Sequence, residues 1–562
     1  MEYLLHIAVM VALYAILAAS FNLLIGFAGL FALSQAAFFG IGAYATAILA
    51  AKLGLAFPLP IVLAVLLTTA VGMLVALPAL RIGGDHLVIV TLALQIIVIA
   101  VMVNWRSVTG GTDGIAGIPK IALLGVPLDT PGRFLPLALA GAALSLAVAW
   151  RLAASPFARA VRAMRENEQA AQAAGKNVVA LKLTVFAFSA GLAAVAGGLY
   201  AHYISFVSAE TFTLDLTIYI LAMVILGGTG NLWGSVLGAA LLTSLPELLK
   251  FIDLPPDIAD KSRQVVYGLA LIAILLLRPQ GLLGEIPARR RTVPAAPGGG
   301  GGALAAPAPA DGAVTVMGQG LARRFGGILA VSGLDIELRR GRITGLIGPN
   351  GAGKTTAFNL LTGFLEPDEG SVRLAGATLK GLRPHEIVRR GMARSFQDLK
   401  LFARMTVRDN VMVALPRQKG DNLLHVYFTP WTVAAEEREN RARARAILDF
   451  VGLAGKEEEV AESLSYAEEK LLAIARLIAT GAEVLLFDEP LSGLAPDTLE
   501  AIFPIVKRLA AAGKTICIIE HNLDVIRGLC DTAVFLDEGR KLSEDAPERL
   551  IADPALAARY FG

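Results

Sequence analysis

The residues best suited to chemistry lie in the second half of the 562-residue chain, in a glycine-rich segment that ends in a lysine and two threonines. The segment consists of Gly348, Pro349, Asn350, Gly351, Ala352, Gly353, Lys354, Thr355 and Thr356. Backbone N–H groups of such a loop, followed by a helix N-terminus, can surround phosphate oxygens. We expect Lys354 to reach the β- and γ-phosphates and the Thr355 hydroxyl to help hold Mg²⁺. The segment therefore predicts a site for ATP and Mg²⁺.

Three further segments supply groups that such a site needs. An apolar run ends in Asp488, a carboxylate suited to Mg²⁺, and Glu489 follows it, where it can polarise an attacking water. The amide of Gln397 could reach both the metal and the water. We expect His521 to contact the γ-phosphate. Taken alone, His521 is better explained as an interior histidine; the presence of all the other parts in order favours the functional interpretation.

Short buried strands must position these groups. The runs 343–347, 484–488 and 515–519 are almost wholly apolar, which predicts strands inside a sheet. A helix is expected to begin at Lys354 and to end near Gly363. A strand, a glycine-rich turn and a helix are the context that a phosphate-binding loop requires. The second half is therefore predicted to have an α/β fold.

The first half has the composition of a membrane domain. The chain has a mean hydropathy of +0.62 and only 17% charged residues, whereas soluble domains carry about 25%. Apolar stretches of spanning length recur, and we predict about eight to ten spans. The stretches lie near residues 4–25, 33–51, 59–80, 86–103, 134–152, 183–204, 212–229, 232–252 and 264–278. The pair over 212–252 could include a re-entrant turn at 227–231.

Charge and cysteine content exclude other classes. The net charge of +3 is too small and too dispersed to indicate a nucleic-acid partner. Cys517 and Cys530 lack the spacing of metal ligands and are typical of a reduced, cytosolic domain.

The segment 151–182 is predicted to be cytoplasmic because it contains six basic and two acidic residues. Within it we predict one short helix over 155–175, capped by Ser155 and Gly175. Such a segment could be a basic loop that only sets topology. The alternative is a helix that docks on an ATPase surface, with Arg162 and Arg165 among the contacts.

The two halves meet in a low-complexity stretch. We predict a transmembrane permease domain over 1–288, a flexible Gly/Ala/Pro linker over 289–313 and a nucleotide-binding domain over 314–562. A flexible linker can keep the domains close but cannot transmit force. This leaves the segment 155–175, packed against residues 400–463, as the expected transmission.

Motifs in both halves resemble the branched-chain amino acid ABC importer family. In the first half the resemblance to LivM-type permeases lies in 22–29, 35–44, 110–119, 155–165 and 278–283. In the second half, Phe325 and the segments around Gln397 and His521 are similar to LivG-type ATPases. The resemblance implies a type II-like importer permease fused to an ABC ATPase. It also implies that Phe325 stacks on adenine and that 155–175 is a coupling helix.

Two positions depart from the family's pattern. The signature, LSGGQ-like in the family, spans 464–468 here; it keeps Ser465 but has Ala467 where a glycine N–H approaches the γ-phosphate. Alanine retains the N–H, adds a methyl group and loses access to positive φ. Ala495 replaces the aspartate of the D-loop. In this family each ATP site combines one subunit's phosphate loop with the other's signature. If the partner ATPase is a different chain with the consensus signature, the site that uses Ser465 and Ala467 is expected to be the weaker one. If the partner is a second copy of this chain, both sites are expected to be weakened alike.

The resemblance implies an ATP-hydrolysing importer in the bacterial inner (cytoplasmic) membrane, with a cytoplasmic ATPase domain. Its expected solutes are branched-chain or related amino acids delivered by an external, periplasmic binding protein. The expected partners are membrane lipid, a second permease and a second ABC ATPase, or a second copy of this chain. Urea, short amides or small aromatic acids are alternative solutes. A membrane-tethered regulatory ATPase is the alternative of a different class, but it needs only one anchoring span.

Overall fold

The structure is a computed structural model that describes residues 1–82, 86–123, 125–249, 268–269, 272, 276–278, 280–284 and 312–561. The chain forms two compact units: Met1–Arg165 with Val179–Arg289, and Glu166–Val178 with Arg290–Gly562. Most of the predicted linker 289–313 and of the predicted span 264–278 lies outside the described residues. The domain boundaries therefore stay predictions.

The first unit is built from apolar helices. Its main α-helices are Glu2–Asn22, Gln35–Ala47, Leu59–Ile82, His86–Asn104, Pro131–Ala153, Pro156–Glu166, Val178–Ile204, Leu214–Gly227 and Leu232–Leu249. Among the described residues, five helical segments are long and apolar enough to cross a membrane, judged by length and composition. They are Glu2–Phe27, Leu59–Leu77, His86–Asn104, Pro131–Ala153 and Val178–Ile204. Each of them overlaps a predicted apolar stretch.

Two shorter apolar helices are separated by the turn predicted at 227–231. The first ends at Gly227 and the next begins at Leu232. The buried side chain of Asn22 holds this turn, because its amide donates to the carbonyl of Asn231 at 2.9 Å and accepts from the Gly230 N–H at 2.8 Å. A buried amide satisfied in this way fixes the break between the helices against the first helix of the chain.

The segment predicted as one helix over 155–175 contains two helices. The first is Pro156–Glu166 and the second is Glu168–Ala173. Asn167 interrupts them in an extended conformation, and its side chain accepts a hydrogen bond from the Ala170 N–H at 2.8 Å. The prediction of a single helix is therefore wrong, since this asparagine caps a new helix instead of continuing the old one. Gly175 follows the second helix at φ +78°, as its predicted capping role requires.

The two arginines expected to dock on the ATPase make contacts within the first unit. The Arg165 guanidinium donates to the carbonyl of Gly26. Arg162 donates to the carbonyl of Ala153 at 3.2 Å and lies 5.5 Å from the ring centroid of Phe27. These contacts fasten the helix Pro156–Glu166 within the first unit. Docking of the two arginines on the ATPase stays a prediction.

The second unit contains two sheets. Four antiparallel strands form one sheet, in the order Ile328–Arg339, Val314–Phe325, Glu369–Leu374 and Ala377–Thr378. The six-stranded sheet has the order Met392–Arg394, Val484–Asp488, Thr515–Ile519, Ile343–Ile347, Thr532–Asp537 and Arg540–Asp545. Its first five strands are parallel and the last is antiparallel. The three predicted strands are confirmed, and every residue in them is buried.

The second unit also contains helices beyond Glu168–Ala173. They are Lys354–Leu361, Pro384–Arg389, Val407–Ala414, Leu423–Phe428, Pro430–Phe450, Tyr466–Ala479, Pro496–Ala511, Leu523–Leu529, Pro547–Ala552 and Pro554–Phe561. A core that includes Leu346, Phe358 and Leu486 joins the phosphate-loop helix to both sheets. Because parallel strands end at one edge of their sheet, the groups that follow 343–347, 484–488 and 515–519 come together there.

Candidate functional site

The glycine-rich loop adopts a conformation that only glycine tolerates at two positions. Gly348 has φ +150°, and a Cβ there would lie 2.0 Å from the carbonyl oxygen of Leu536. Gly353 has φ +94°, and a Cβ there would lie 2.4 Å from the carbonyl oxygen of Ala330. The loop therefore passes directly over neighbouring backbone, with Ala352 buried beneath it. Pro349, Asn350 and Gly351 form its outer turn, and Asn350 and Gly351 are exposed.

Lys354 begins the helix that follows this loop. Its ammonium group donates to the carbonyls of Gly348 and Pro349, both at 2.8 Å. Burial lowers the pKa of Lys354, while the nearby carboxylates of Glu489 and Asp488 act in the opposite direction. Thr355 and Thr356 occupy the first turn of the same helix, and Thr355 is exposed. The loop thus places a cation and two hydroxyl groups at a helix N-terminus.

Asp488 ends its strand as a buried carboxylate with one partner. Its Oδ2 accepts a hydrogen bond from Arg394 at 2.9 Å, whereas its Oδ1 has no hydrogen-bond partner among the described residues. Burial raises the pKa of Asp488, and Arg394 partly offsets the effect. The Arg394 guanidinium lies within 5.8 Å of the ring centroids of three aromatic residues, Phe358, Phe364 and Phe396. This setting holds one carboxylate oxygen in place and leaves the other available.

Glu489, Gln397 and His521 form one cluster beside Asp488. The Glu489 Oε1 lies 3.0 Å from the His521 Nε2, and its Oε2 accepts from the Gln397 side-chain amide at 3.1 Å. Glu489 is one of the few non-glycine residues with positive φ, at +47°. Such strain persists where surrounding contacts hold the backbone. The fold therefore brings together three groups that are distant in the chain: Gln397 precedes Glu489 by 92 residues, and His521 follows Glu489 by 32 residues.

Phe325 lies at the end of its strand with a half-exposed ring. The side chain is 45% exposed, and the Arg323 guanidinium lies 5.3 Å from the ring centroid. An exposed aromatic ring of this kind can stack on a planar group.

The segment 464–468 begins the helix Tyr466–Ala479. Ser465 is its N-cap, and the Ser465 N–H and hydroxyl both donate to the Glu468 carboxylate, at 3.0 and 2.9 Å. Lys456 lies 2.8 Å from the same carboxylate, and its hydrogen bond is the main reason that the pKa of Glu468 falls to about 2. Ala467 occupies the first turn, where alanine is favourable. Ala467 is not among the residues with positive φ, and the weakening of the ATP site that uses it stays a prediction.

Three buried charged residues near the site are not among the site residues predicted from the sequence. Besides Arg394, they are Lys470, whose ammonium donates to the Glu489 carbonyl at 2.9 Å, and Glu520, whose carboxylate accepts from the Leu491 N–H at 2.8 Å. Burial raises the pKa of Glu520 to about 7, although Leu491 and Lys470 act to lower it. A charged residue directly after the apolar run 515–519 was the available signal for Glu520.

Residues Glu166–Val178 belong to the same compact unit as the ATPase. The Lys176 ammonium pairs with the carboxylate of Asp421 at 2.6 Å, with the lysine side chain only 6% exposed. Arg389 donates to the carbonyl of Gly175 at 3.2 Å. A Cβ on Gly175 would lie 3.3 Å from Val388, so the turn packs directly on the helix Pro384–Arg389.

A second part of this contact lies at the start of the segment. The Arg404 N–H donates to the carboxylate of Glu166 at 3.0 Å, and Lys400 donates to the side chain of Gln169. Lys400, Arg404 and Asp421 fall within the predicted range 400–463. The helix Pro384–Arg389 lies outside that range, so the surface is wider than predicted.

Comparisons with known proteins find a matching family for each half of the chain. The family model for the permease component of the branched-chain amino acid transport system matches residues 3–275, and the ABC transporter model matches residues 331–492. The chain is 36% identical over 244 residues to the high-affinity branched-chain amino acid transport ATP-binding proteins BraF of Pseudomonas aeruginosa and LivG of Escherichia coli. Each match covers 43% of this chain and 96% of the relative.

The permease half has its own relative. The chain is 37% identical over 300 residues to the high-affinity branched-chain amino acid transport system permease protein LivM of Salmonella typhimurium, covering 49% of this chain and 69% of LivM. A crystal structure of a nucleotide-free ATP-binding cassette from an ABC transporter is 30% identical, covers 44% of this chain and all of that one, and has a TM-score of 0.40.

These matches confirm the predicted fold class, a helical permease domain fused to an α/β ABC ATPase domain. They also show that the chain is a membrane protein that binds nucleotide and hydrolyses ATP in connection with transport. It works in a complex with other subunits. The chain belongs to the branched-chain amino acid ABC transporter family, with a LivM-like permease and a LivG-like ATP-binding component in one polypeptide.

Proposed function

We propose that this chain imports branched-chain or closely related small amino acids, using ATP hydrolysed at the cluster around Glu489. The main support is that one chain contains both a permease half and an ATP-binding half. The relatives of each half are named as branched-chain amino acid transport proteins. The contact of Glu166–Val178 with the ATPase residues adds support, because it offers a route by which hydrolysis acts on the permease half.

The proposed hydrolysis uses the cluster as follows. Lys354 and the N–H groups of the glycine-rich loop bind the β- and γ-phosphates, and Phe325 stacks on the adenine. Glu489 accepts a proton from a water that attacks the γ-phosphorus, and the bond from that phosphorus to the β,γ-bridging oxygen breaks. Gln397 and His521 hold the Glu489 carboxylate at 3.1 and 3.0 Å, and His521 also contacts the γ-phosphate. The products are ADP and inorganic phosphate.

Mg²⁺ fits the oxygen atoms that the site offers. The unpartnered Oδ1 of Asp488, the Thr355 hydroxyl and the Gln397 amide oxygen are hard donors of the type that Mg²⁺ prefers. When bound, Mg²⁺ neutralises charge on the β- and γ-phosphate oxygens. Arg394 keeps Asp488 oriented through Oδ2, which leaves Oδ1 for this purpose.

Transmission in this proposal passes through Glu166–Val178. Lys176, Gly175 and Glu166 are each hydrogen-bonded to a different ATPase residue, so movement of that surface displaces the segment as a body. Arg162 and Arg165 hold the preceding helix to the permease unit. The contacts with the permease unit end at Arg165 and those with ATPase residues begin at Glu166, directly before the break at Asn167.

The assembly that we propose contains a second permease and a second ABC ATPase, or a second copy of this chain. Ser465 and Ala467 then contribute to the ATP site formed with the partner ATPase. An external binding protein delivers the solute, and the permease half spans the inner membrane of a bacterium with the ATPase in the cytoplasm.

Uptake by proteoliposomes that contain the full assembly and a liganded binding protein tests this function. We expect leucine, isoleucine or valine to be imported when ATP is present on the ATPase side, with turnover stimulated by the liganded binding protein. Uptake of urea, short amides or aromatic acids alone would replace the proposed solute. ATP hydrolysis without uptake of any of these solutes would instead favour a tethered regulatory ATPase.

A further inference from the structure

The backbone of Glu489 is held in a conformation that it does not adopt easily. Its φ of +47° lies in the left-handed region, which costs a non-glycine residue about 1–3 kcal/mol. Both of its backbone polar groups are hydrogen-bonded to residues outside its own loop, and the carbonyl also accepts from the Ser492 hydroxyl of that loop at 3.2 Å. The N–H donates to the carbonyl of Ile519 at 3.0 Å, and the carbonyl accepts from the ammonium of Lys470 at 2.9 Å. The surroundings therefore determine where the Glu489 carboxylate points.

Lys470 is an unusual residue to find at this place. It is only 2% exposed, and a buried ammonium is costly unless hydrogen-bonded or paired. Its hydrogen bond goes to the carbonyl of Glu489, and its Nζ lies 5.3 Å from the ring centroid of Tyr466. Ring and ammonium are four residues apart on one helix, so they share a face. The buried carboxyl of Glu520 also interacts electrostatically with this ammonium.

Tyr466 contacts the same loop further along. Its hydroxyl donates to the carbonyl of Ser492 at 3.2 Å, and its ring lies 3.3 Å from where a Cβ of Gly493 would be. Tyr466 and Lys470, on one turn of the helix Tyr466–Ala479, thus donate hydrogen bonds to two carbonyls of the loop 489–493.

We infer that Lys470 is a positioning residue for ATP hydrolysis. Its charge-assisted hydrogen bond keeps the Glu489 backbone left-handed, the conformation in which the carboxylate meets Gln397 and His521, and Tyr466 steadies the loop that follows. This inference rests on the proposed catalytic role of Glu489. Since Ser465 caps the same helix, the signature segment and the Glu489 loop are connected through one rigid element.

The test compares K470M, K470R, Y466F and E489Q in the full-length transporter. Methionine keeps much of the lysine stem's volume but removes the ammonium. We expect K470M to lower kcat for ATP about 10- to 100-fold, as loss of a charge-assisted hydrogen bond implies, with KM and the affinity for a fluorescent ATP analogue within twofold of wild type. K470R should recover most of kcat, because it can still donate to the carbonyl. Y466F should lower kcat about twofold to fivefold.

The outcomes separate the inference from the proposed function. If E489Q abolishes turnover while K470M keeps kcat within twofold of wild type, the positioning role is wrong and the role of Glu489 stands. If E489Q hydrolyses ATP as fast as wild type, the proposed catalytic role of Glu489 is itself wrong. Should K470M fail to fold, Y466F decides the matter: its ring is half-exposed, so the variant is expected to fold, and an unchanged kcat would overturn the inference. Equal losses in K470M and K470R would also contradict it.

Discussion

Removing the carboxylate of Asp421 should uncouple ATP hydrolysis from solute uptake. Asp421 is the partner of Lys176, which is 6% exposed, whereas the Asp421 side chain is 27% exposed. In D421N the buried ammonium of Lys176 loses the negative charge of Asp421. In K176M the remaining carboxylate is near enough to water to be solvated. We therefore expect D421N to be the more damaging of the two variants, and the double variant to be less damaging than D421N alone.

The size of the effect follows from the geometry. At 2.6 Å and an effective dielectric constant of about 20, two unit charges attract by about 6 kcal/mol before desolvation is subtracted. Removing one partner of a fully buried pair costs about 3–5 kcal/mol. The partial exposure of Asp421 reduces this to about 2 kcal/mol. That energy corresponds to a change of about 30-fold in the equilibrium between docked and undocked segment.

The assay is the amount of solute imported per ATP hydrolysed in proteoliposomes. We expect this ratio to fall several-fold in D421N, up to about 30-fold, while ATP turnover persists. K541M serves as the matched control, because Lys541 and Glu544 form a surface pair at 3.0 Å with both side chains about one-third exposed; such pairs contribute little. A ratio in D421N within twofold of wild type would refute the role given to this contact.

Three other variants test the site and its surroundings. R394M leaves the buried Asp488 carboxylate without its partner and should lower the free energy of unfolding by about 3–5 kcal/mol in denaturant titrations; no change would contradict the pair's importance. A495D supplies a capping side chain to the helix Pro496–Ala511, which lacks one, and should raise the free energy of unfolding by about 1 kcal/mol in thermal unfolding. Glu520 has a folded pKa of about 7 against an ordinary value of 4.5, so the folded state binds more protons in this range and wild-type stability falls as pH rises from 4.5 to 7. E520Q should therefore gain stability relative to wild type across that interval, and a pH-independent difference would contradict the assignment.

Much of the nucleotide site could be predicted because each group follows an apolar run or a glycine-rich turn. Asp488 and His521 come after strand patterns of the right length, and parallel strands place their ends at one sheet edge. Lys354 follows glycines whose positive φ values no other residue tolerates easily. Local pattern was therefore enough to locate these residues.

The remaining features depend on tertiary partners that local pattern does not encode. Helical spacing puts Phe157, Val161 and Met164 on one face, and all three are buried. It could not tell that Arg162 and Arg165 meet carbonyls of the permease unit, because spacing defines a face and not its partner.

Single residues with unexpected hydrogen bonds are the other reason that the structure differs from the sequence-based predictions. Asn167 stands between alanine-rich stretches that favour a continuous helix, yet its side chain caps a new one. A lysine such as Lys470 is typical of an exposed helix position, and its burial depends on tertiary partners such as the carbonyl of Glu489.

The most direct test of the central claim is ATP-driven uptake of labelled leucine by the full assembly, compared between wild type and E489Q. The account predicts uptake only when ATP is present on the ATPase side, and loss of both uptake and ATP turnover in E489Q with nucleotide binding retained. Leucine uptake that continues in E489Q, or that needs no ATP, would contradict it.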